Sequence, residues 1–327
     1  MTGNRCRIGL VGAGRAATRH ASTLATFHDV TVVGVTDPDV GAATRLAAAS
    51  GGVVATSLAA LLALRPHAVY VCVPPDVHGP IEEQILDAGV PLFLETPLGV
   101  DRDTPDELAR RVASAGVVTS VAHLWRYSAA VARARAVLAG RTIRLVSGTW
   151  LDTADDAPWW GRRARSGGPL IEQVVHLLDL LRTLVGEVVE VYAISDDVPP
   201  PQVPDADVDG VTVATLRFAS GAVGTLASTC RFTGKRRAGL ELFADGASVT
   251  ITEDGCEIRV GGQSEWHAVD REASHRAAAR AFVDAILRRE ARDRVLADYA
   301  QAVRTHRLAC ALARSAAEGR PIRLRTG

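Results

Sequence analysis

The chain has 327 residues, 47% of them hydrophobic and 23% charged, with 37 basic and 37 acidic side chains. Zero net charge argues against a sequence-independent grip on nucleic acid and against an electrostatic membrane anchor, since both need clustered positive charge. The length suits two domains, and the composition supplies ample core. No apolar run reaches the roughly 18 residues of a membrane span.

The first run, "RCRIGLVGAG", reads as a strand and leaves no room before it for a secretory leader. Residues 15–27 read as a helix, "VTVVGVTD" as a strand and 39–50 as a helix. "GGVVAT" is a weak strand, 57–64 a short helix and "HAVYVCVP" a fully apolar strand. A helix at 78–89, the strand "PLFLE", a helix at 104–115 and the strand "VVTSVAHLW" complete the pattern. Apolar strands alternating with helices predict a parallel, doubly wound sheet covered on both faces. Beyond residue 125 the rhythm changes. A helix near 128–139, the strand "RTIRLVSGTWLD" and a helix near 169–185 precede a run of strands from "VVEVYAISD" to "CEIRVGG". Short turns such as Ser220-Gly221 and Asp245-Gly246 join several of them, which predicts an antiparallel meander. Two helices, near 275–290 and 298–317, and "PIRLR" end the chain, while "VPPPQVPDADVDG" reads as a surface loop. The fold class expected is therefore α/β: an N-terminal doubly wound parallel-sheet domain over 1–124, which the family resemblance described below implies is a Rossmann domain, and a C-terminal α+β domain over 125–327, built on a largely antiparallel open sheet. Five scattered cysteines without CxxC spacing read as buried thiols in a reducing cytoplasm, with no metal site.

"GLVGAGRAATRH" places Gly12, Gly14 and Ala17 between a strand and a helix. Small residues there permit a tight turn, close approach of a pyrophosphate, and helix–strand contact. The helix N-terminus offers N–H groups to phosphates, with Arg15 and Ala16 in its first turn. Asp37 ends the second strand, 23 residues after Gly14. A carboxylate there accepts hydrogen bonds from ribose hydroxyls and repels a 2′-phosphate, so NAD is favoured over NADP. Pro74 and His78 in "PPDVH" fall in a loop at the carboxyl edge of the sheet, where cofactors bind in such folds.

These residues, with "VCVPPDVHGPIEEQILDAGVPLFLETPLG" and "SGGPLIEQVVHLLDLLRTLVGE", resemble the Gfo/Idh/MocA family over nearly the whole chain. The resemblance implies an NAD-dependent oxidoreductase acting on a sugar, cyclitol or related polyhydroxylated compound, assembled as a homodimer or homotetramer. It places the site on three positions. The lysine of the family's Glu-Lys-Pro triplet is Thr96 here, flanked by Glu95 and Pro97 at the cofactor end. The family's Asp-x-x-x-His aligns with Glu172 and His176, and Val174 and Val175 replace two glycines usual in many members. At i, i+4 spacing Glu172 and His176 fall on one helical face. Histidine is the natural base for the hydroxyl proton at neutral pH, and a nearby carboxylate would hold its ring.

Threonine cannot titrate in that range. Either His176 acts alone with Thr96 as a hydrogen-bonding group, or Tyr127 or His123 supplies the relay, or the chemistry needs no lysine. Redox-neutral NAD-assisted elimination or epimerisation, and a non-catalytic nucleotide-binding homologue, stay open as alternatives. In "APWWGRRARSGG", Trp159 and Trp160 offer flat faces for a sugar ring, and Arg162, Arg163 and Arg165 offer anion contacts. Arg126 is a further candidate for the substrate pocket.

Overall fold

The computed structural model describes residues 5–325, and its first sheet grows from the apolar runs read above. Strands β1 (Cys6–Val11), β2 (Val30–Thr36), β3 (Val53–Val54), β4 (Ala68–Val71), β5 (Leu92–Leu94) and β6 (Thr119–Val121) pair in parallel in the order β3-β2-β1-β4-β5-β6. Every residue of β4, β5 and β6 is buried, as strands between two helical layers require. Helices α1 (Arg15–Ala25), α2 (Val40–Ser50), α3 (Leu58–Ala63), α4 (Pro80–Asp87) and α5 (Asp103–Ala115) make the crossovers. Local signals set their ends. Asp39 and Ser57 each accept an N–H three residues on, capping α2 and α3, and Gly51 closes α2 in the left-handed region. The strand order reverses between β1 and β4, the switch point at which ligands bind in open α/β sheets.

The second sheet has nine strands. After α6 (Ala129–Leu138) come β7 (Ile143–Leu151), α7 (Arg163–Ser166), α8 (Pro169–Glu172) and α9 (Val175–Leu184). Then follow β8 (Val188–Ser195), β9 (Val211–Phe218), β10 (Val223–Thr229), β11 (Arg237–Ala244), β12 (Ala247–Thr252), β13 (Gly255–Val260) and β14 (Gln263–Ala268). Helices α10 (Arg271–Leu287) and α11 (Tyr299–Glu318) and the short β15 (Ile322–Arg323) finish the chain. The order is β14-β13-β12-β11-β7-β10-β9-β8-β15. It is two meanders joined through β7, which runs antiparallel to β11 but parallel to β10. Strand β14 carried no sequence signal. "QSEWHA" is almost wholly exposed and is held by its ladder to β13, so no apolar period marks it.

The compact units are not the two contiguous segments expected from sequence. Residues 5–99, 103–124 and 275–303 form the first, and 100–102, 125–274 and 304–325 form the second. The return to the first unit has a packing reason. Phe282 meets Tyr70 and Phe93 edge-on at 5.7 and 5.5 Å, while those two rings stack at 4.4 Å. All three are fully buried. Phe282→Ala should therefore lower stability by about 3–5 kcal/mol. Urea unfolding followed by circular dichroism measures this, and a loss below about 1 kcal/mol would show that α10 is not part of that core.

Candidate functional site

In the first unit the turn after β1 is built by exclusion. Gly12 has φ +94°, and a Cβ there would stand 2.1 Å from the Cys72 carbonyl oxygen at the end of β4. Only glycine lets β1 and β4 approach so closely. Gly14, by contrast, has nothing within 4 Å of where its Cβ would be, which leaves the backbone open to a ligand. Gly14 also caps α1 without any side-chain hydrogen bond, and no acidic residue lies in the first turn. The N–H groups and positive dipole end of an eleven-residue helix thus face outward beside exposed Arg15 and half-buried Ala16. Ala17 is fully buried against the sheet.

Asp37 stands at the end of β2 and accepts the Ala13 N–H at 2.7 Å, with its other oxygen on the Asp39 N–H at 2.7 Å. Its carboxylate is therefore tied to the glycine turn. Glu95, after β5, lies 2.6 Å from His20 Nε2 of α1. Half-buried Thr96 follows, joined by a cis peptide to buried Pro97. Pro74 begins the loop after β4. His78 is 5% exposed, with Nδ1 2.5 Å from Glu82, whose other oxygen accepts the Gly79 N–H. The imidazole of His78 is thus built into the loop instead of facing a ligand. Burial pushes the Cys72 thiol well above its usual range, so it stays protonated at neutral pH. No group of metal-ligating side chains occurs among the described residues.

In the second unit the sequence predicts one helix over 169–185, and the structure breaks it. Gln173 and Val174 both donate to Pro169 O, at 2.9 and 3.0 Å. The second of these spans five residues, a π-type bond that inserts a residue into the turn. Glu172 therefore ends α8 and His176 lies in the first turn of α9 across the discontinuity, not along a regular i, i+4 face. Each flank of the turn is tethered. Trp160 Nε1 donates to Glu172 at 2.7 Å, and Gln173 Nε2 donates to Thr153 O at 3.0 Å. His176 is half-buried and stacks on Trp150 of β7, with ring centroids 5.8 Å apart.

The other candidates separate by burial. Trp160 is 1% exposed and packs with Val208 and Cys230, so it anchors Glu172 and offers no open platform; Trp159 is half-buried beside it. Arg126 makes a buried two-point pair with Asp179, at 2.6 and 2.7 Å, and is not turned toward a ligand. Arg163 is exposed and pairs with Asp209 at 3.0 Å. Sequence reading passed over Trp150 and, beside it, Lys235, whose ammonium lies 4.4 Å from the Trp150 ring centre. One signal was available: Lys235 is the chain's one lysine.

The Gly12 approach yields a direct test. Gly12→Ala should displace the β1–α1 turn and abolish NADH binding, read by fluorescence titration, while the far-UV spectrum keeps its native form. Unchanged affinity would show that the turn does not form the nucleotide site.

Residues 6–123 match an oxidoreductase family with an NAD-binding Rossmann fold, and residues 133–250 match the Gfo/Idh/MocA C-terminal domain. An inositol 2-dehydrogenase of Rhizobium meliloti (strain 1021) is 30% identical over 230 residues, 69% of each chain. A D-glucoside 3-dehydrogenase of Escherichia coli (strain K12) is 28% identical over 198 residues, 57% of this chain and 56% of its own. GenD2 from gentamicin A biosynthesis, solved with NAD, aligns over 100% of this chain and 98% of its own at 25% identity, with a TM-score of 0.87. The chain belongs to the Gfo/Idh/MocA family of NAD-binding oxidoreductases.

Proposed function

We propose that the protein transfers hydride between NAD(H) and a carbinol carbon of a sugar, cyclitol or related polyhydroxylated compound, with His176 as the acid/base. The observation that carries the reading is the intact nucleotide turn. Gly12 is forced by the Cys72 carbonyl, Gly14 is open, the N-terminus of α1 is uncapped and Asp37 stands at the end of β2. When bound there, NAD supplies the hydride acceptor or donor. As the C–H hydride leaves the substrate carbon, the hydroxyl proton passes to the His176 imidazole, and the C–O bond becomes a carbonyl. In reduction the imidazolium returns that proton. Glu172, held by Trp160, orients the turn that carries His176. Thr96 contributes a hydroxyl in place of the family's ammonium, and so helps bind oxygen without exchanging a proton near neutral pH. The dehydrogenase names of the relatives support this reading over a redox-neutral or non-catalytic one.

We expect a cytoplasmic homodimer or homotetramer. Among the described residues no helix is long and apolar enough to cross a membrane. Phe243, Leu145 and Val223 form an exposed apolar row across β11, β7 and β10, which suits association.

His176→Gln should lower kcat for the best polyol substrate by roughly 10²–10⁴ while leaving NADH affinity unchanged, because it removes general acid–base help alone. Steady-state rates across a panel of inositols and glucosides measure it. A fully active His176→Gln protein would move the acid/base to another residue.

A further inference from the structure

Apart from histidines, every basic side chain but one is arginine; the exception is Lys235, between β10 and β11. Its neighbour Arg236 donates its backbone N–H to Leu151 O at 2.9 Å, fixing this loop to the end of β7. Lys235 Nζ stands 2.9 Å from Glu253 and 3.2 Å from Asp152. The same ammonium lies over the face of Trp150, where the ring quadrupole attracts a cation. Trp150 in turn stacks on His176 with the two planes 23° apart. Two side chains distant in sequence, Lys235 and His176, thus meet on one indole.

That indole carries an unanswered donor. Trp150 is 6% exposed, yet its Nε1–H has no hydrogen-bond partner among the described residues. A buried N–H without an acceptor is costly and asks for a ligand or water oxygen. This one belongs to the ring on which the proposed acid/base rests.

We propose that Trp150 Nε1–H donates to a substrate oxygen beside His176, and that Lys235 is the positioning residue that holds the indole for it. The proposal rests on the reading of His176 given above and narrows the substrate class. Lys235 is already balanced by Asp152 and Glu253, and Arg271, 3.6 Å from Glu253, is itself paired with Asp254 at 3.0 Å. The cluster therefore has no surplus positive charge to hold a carboxylate or phosphate. It suits an uncharged hydroxyl, as an inositol or a neutral glycoside presents. The one lysine of the chain is placed behind the indole in the second unit, while position 96 holds threonine.

The test uses protein labelled with ¹⁵N in its five tryptophans, saturated with NADH and titrated with inositols and methyl glucosides. Trp150→Phe assigns the Trp150 resonance and supplies the second readout, since it removes the N–H donor, together with one ring of the indole, while an aromatic face stays beside His176 and Lys235. A polyol that is turned over should shift the Trp150 Nε1–H resonance. Trp150→Phe should raise KM about tenfold, the value of one net hydrogen bond, with kcat and NADH affinity nearly unchanged. Lys235→Met should raise KM in the same direction and move the Nε1–H resonance of the ligand-free protein. Lys235→Arg, which keeps a cation over the ring, should restore most of the wild-type KM. Turnover of a polyol with an unmoved Trp150 resonance, or an unchanged KM in Trp150→Phe, overturns this proposal alone. Absence of turnover across the panel overturns the functional reading of the preceding section and this proposal with it.

Discussion

One carbonyl oxygen, that of Pro169, organises the second unit's candidate residues. It accepts two consecutive N–H groups, from Gln173 and Val174, where a regular helix would supply one. The approach to it is built for that purpose. Gly167 and Gly168 both have positive φ, and a Cβ on Gly167 would press on Ile171 and on the Val100 carbonyl at about 3 Å. Pro169 then opens α8 at its first position, where its missing N–H costs nothing. With the turn fixed, Glu172 reaches Trp160, Gln173 reaches the segment after β7, and His176 comes to rest on Trp150. Further along α9, Asp179 takes Arg126 at two points and also accepts the Thr305 hydroxyl at 2.9 Å. Removing one partner of a buried pair of this kind costs about 3–5 kcal/mol, so the helix that carries His176 is held firmly.

The first unit follows a different rule, in which backbone proximity replaces side-chain tethers. A sheet that switches direction between β1 and β4 opens a crevice at the strands' carboxyl ends, and the Gly12 turn brings that crevice to the uncapped end of α1. Asp37 and Glu95 directly follow the carboxyl ends of β2 and β5. Each is already oriented, the first by the Ala13 N–H and the second by His20. Such groups lose little freedom when a ligand arrives, which is the advantage of preorganisation.

What could be read from sequence was whatever acts through local backbone demands. The glycine turn, Asp37 and the apolar strands each leave a signature within a few residues and form as expected. Of the features that escaped, one is local and the others depend on distant partners. A shared acceptor at Pro169 is invisible in an apolar period that continues unbroken through "LIEQVVHLLDLL". Trp150 and Lys235 meet only because β7 and β11 are neighbours in the sheet. The return of 275–303 to the first unit depends on Phe282 finding Tyr70 and Phe93, in a helix whose own sequence is rich in alanine and arginine. Arg126 and Trp160, attractive as ligand contacts by residue type, turn out to be occupied by Asp179 and Glu172.

On the proposed mechanism, hydride transfer proceeds with threonine at position 96. Its most direct test is transfer of deuterium from NADH labelled at C4, on each face separately, into a panel of keto-sugars and keto-inositols, followed by mass spectrometry. Label from one face alone should appear at the carbinol carbon of a product. NADH bound tightly, with no label in any product from either face, would contradict the mechanism and leave a nucleotide-binding protein without the family's reaction.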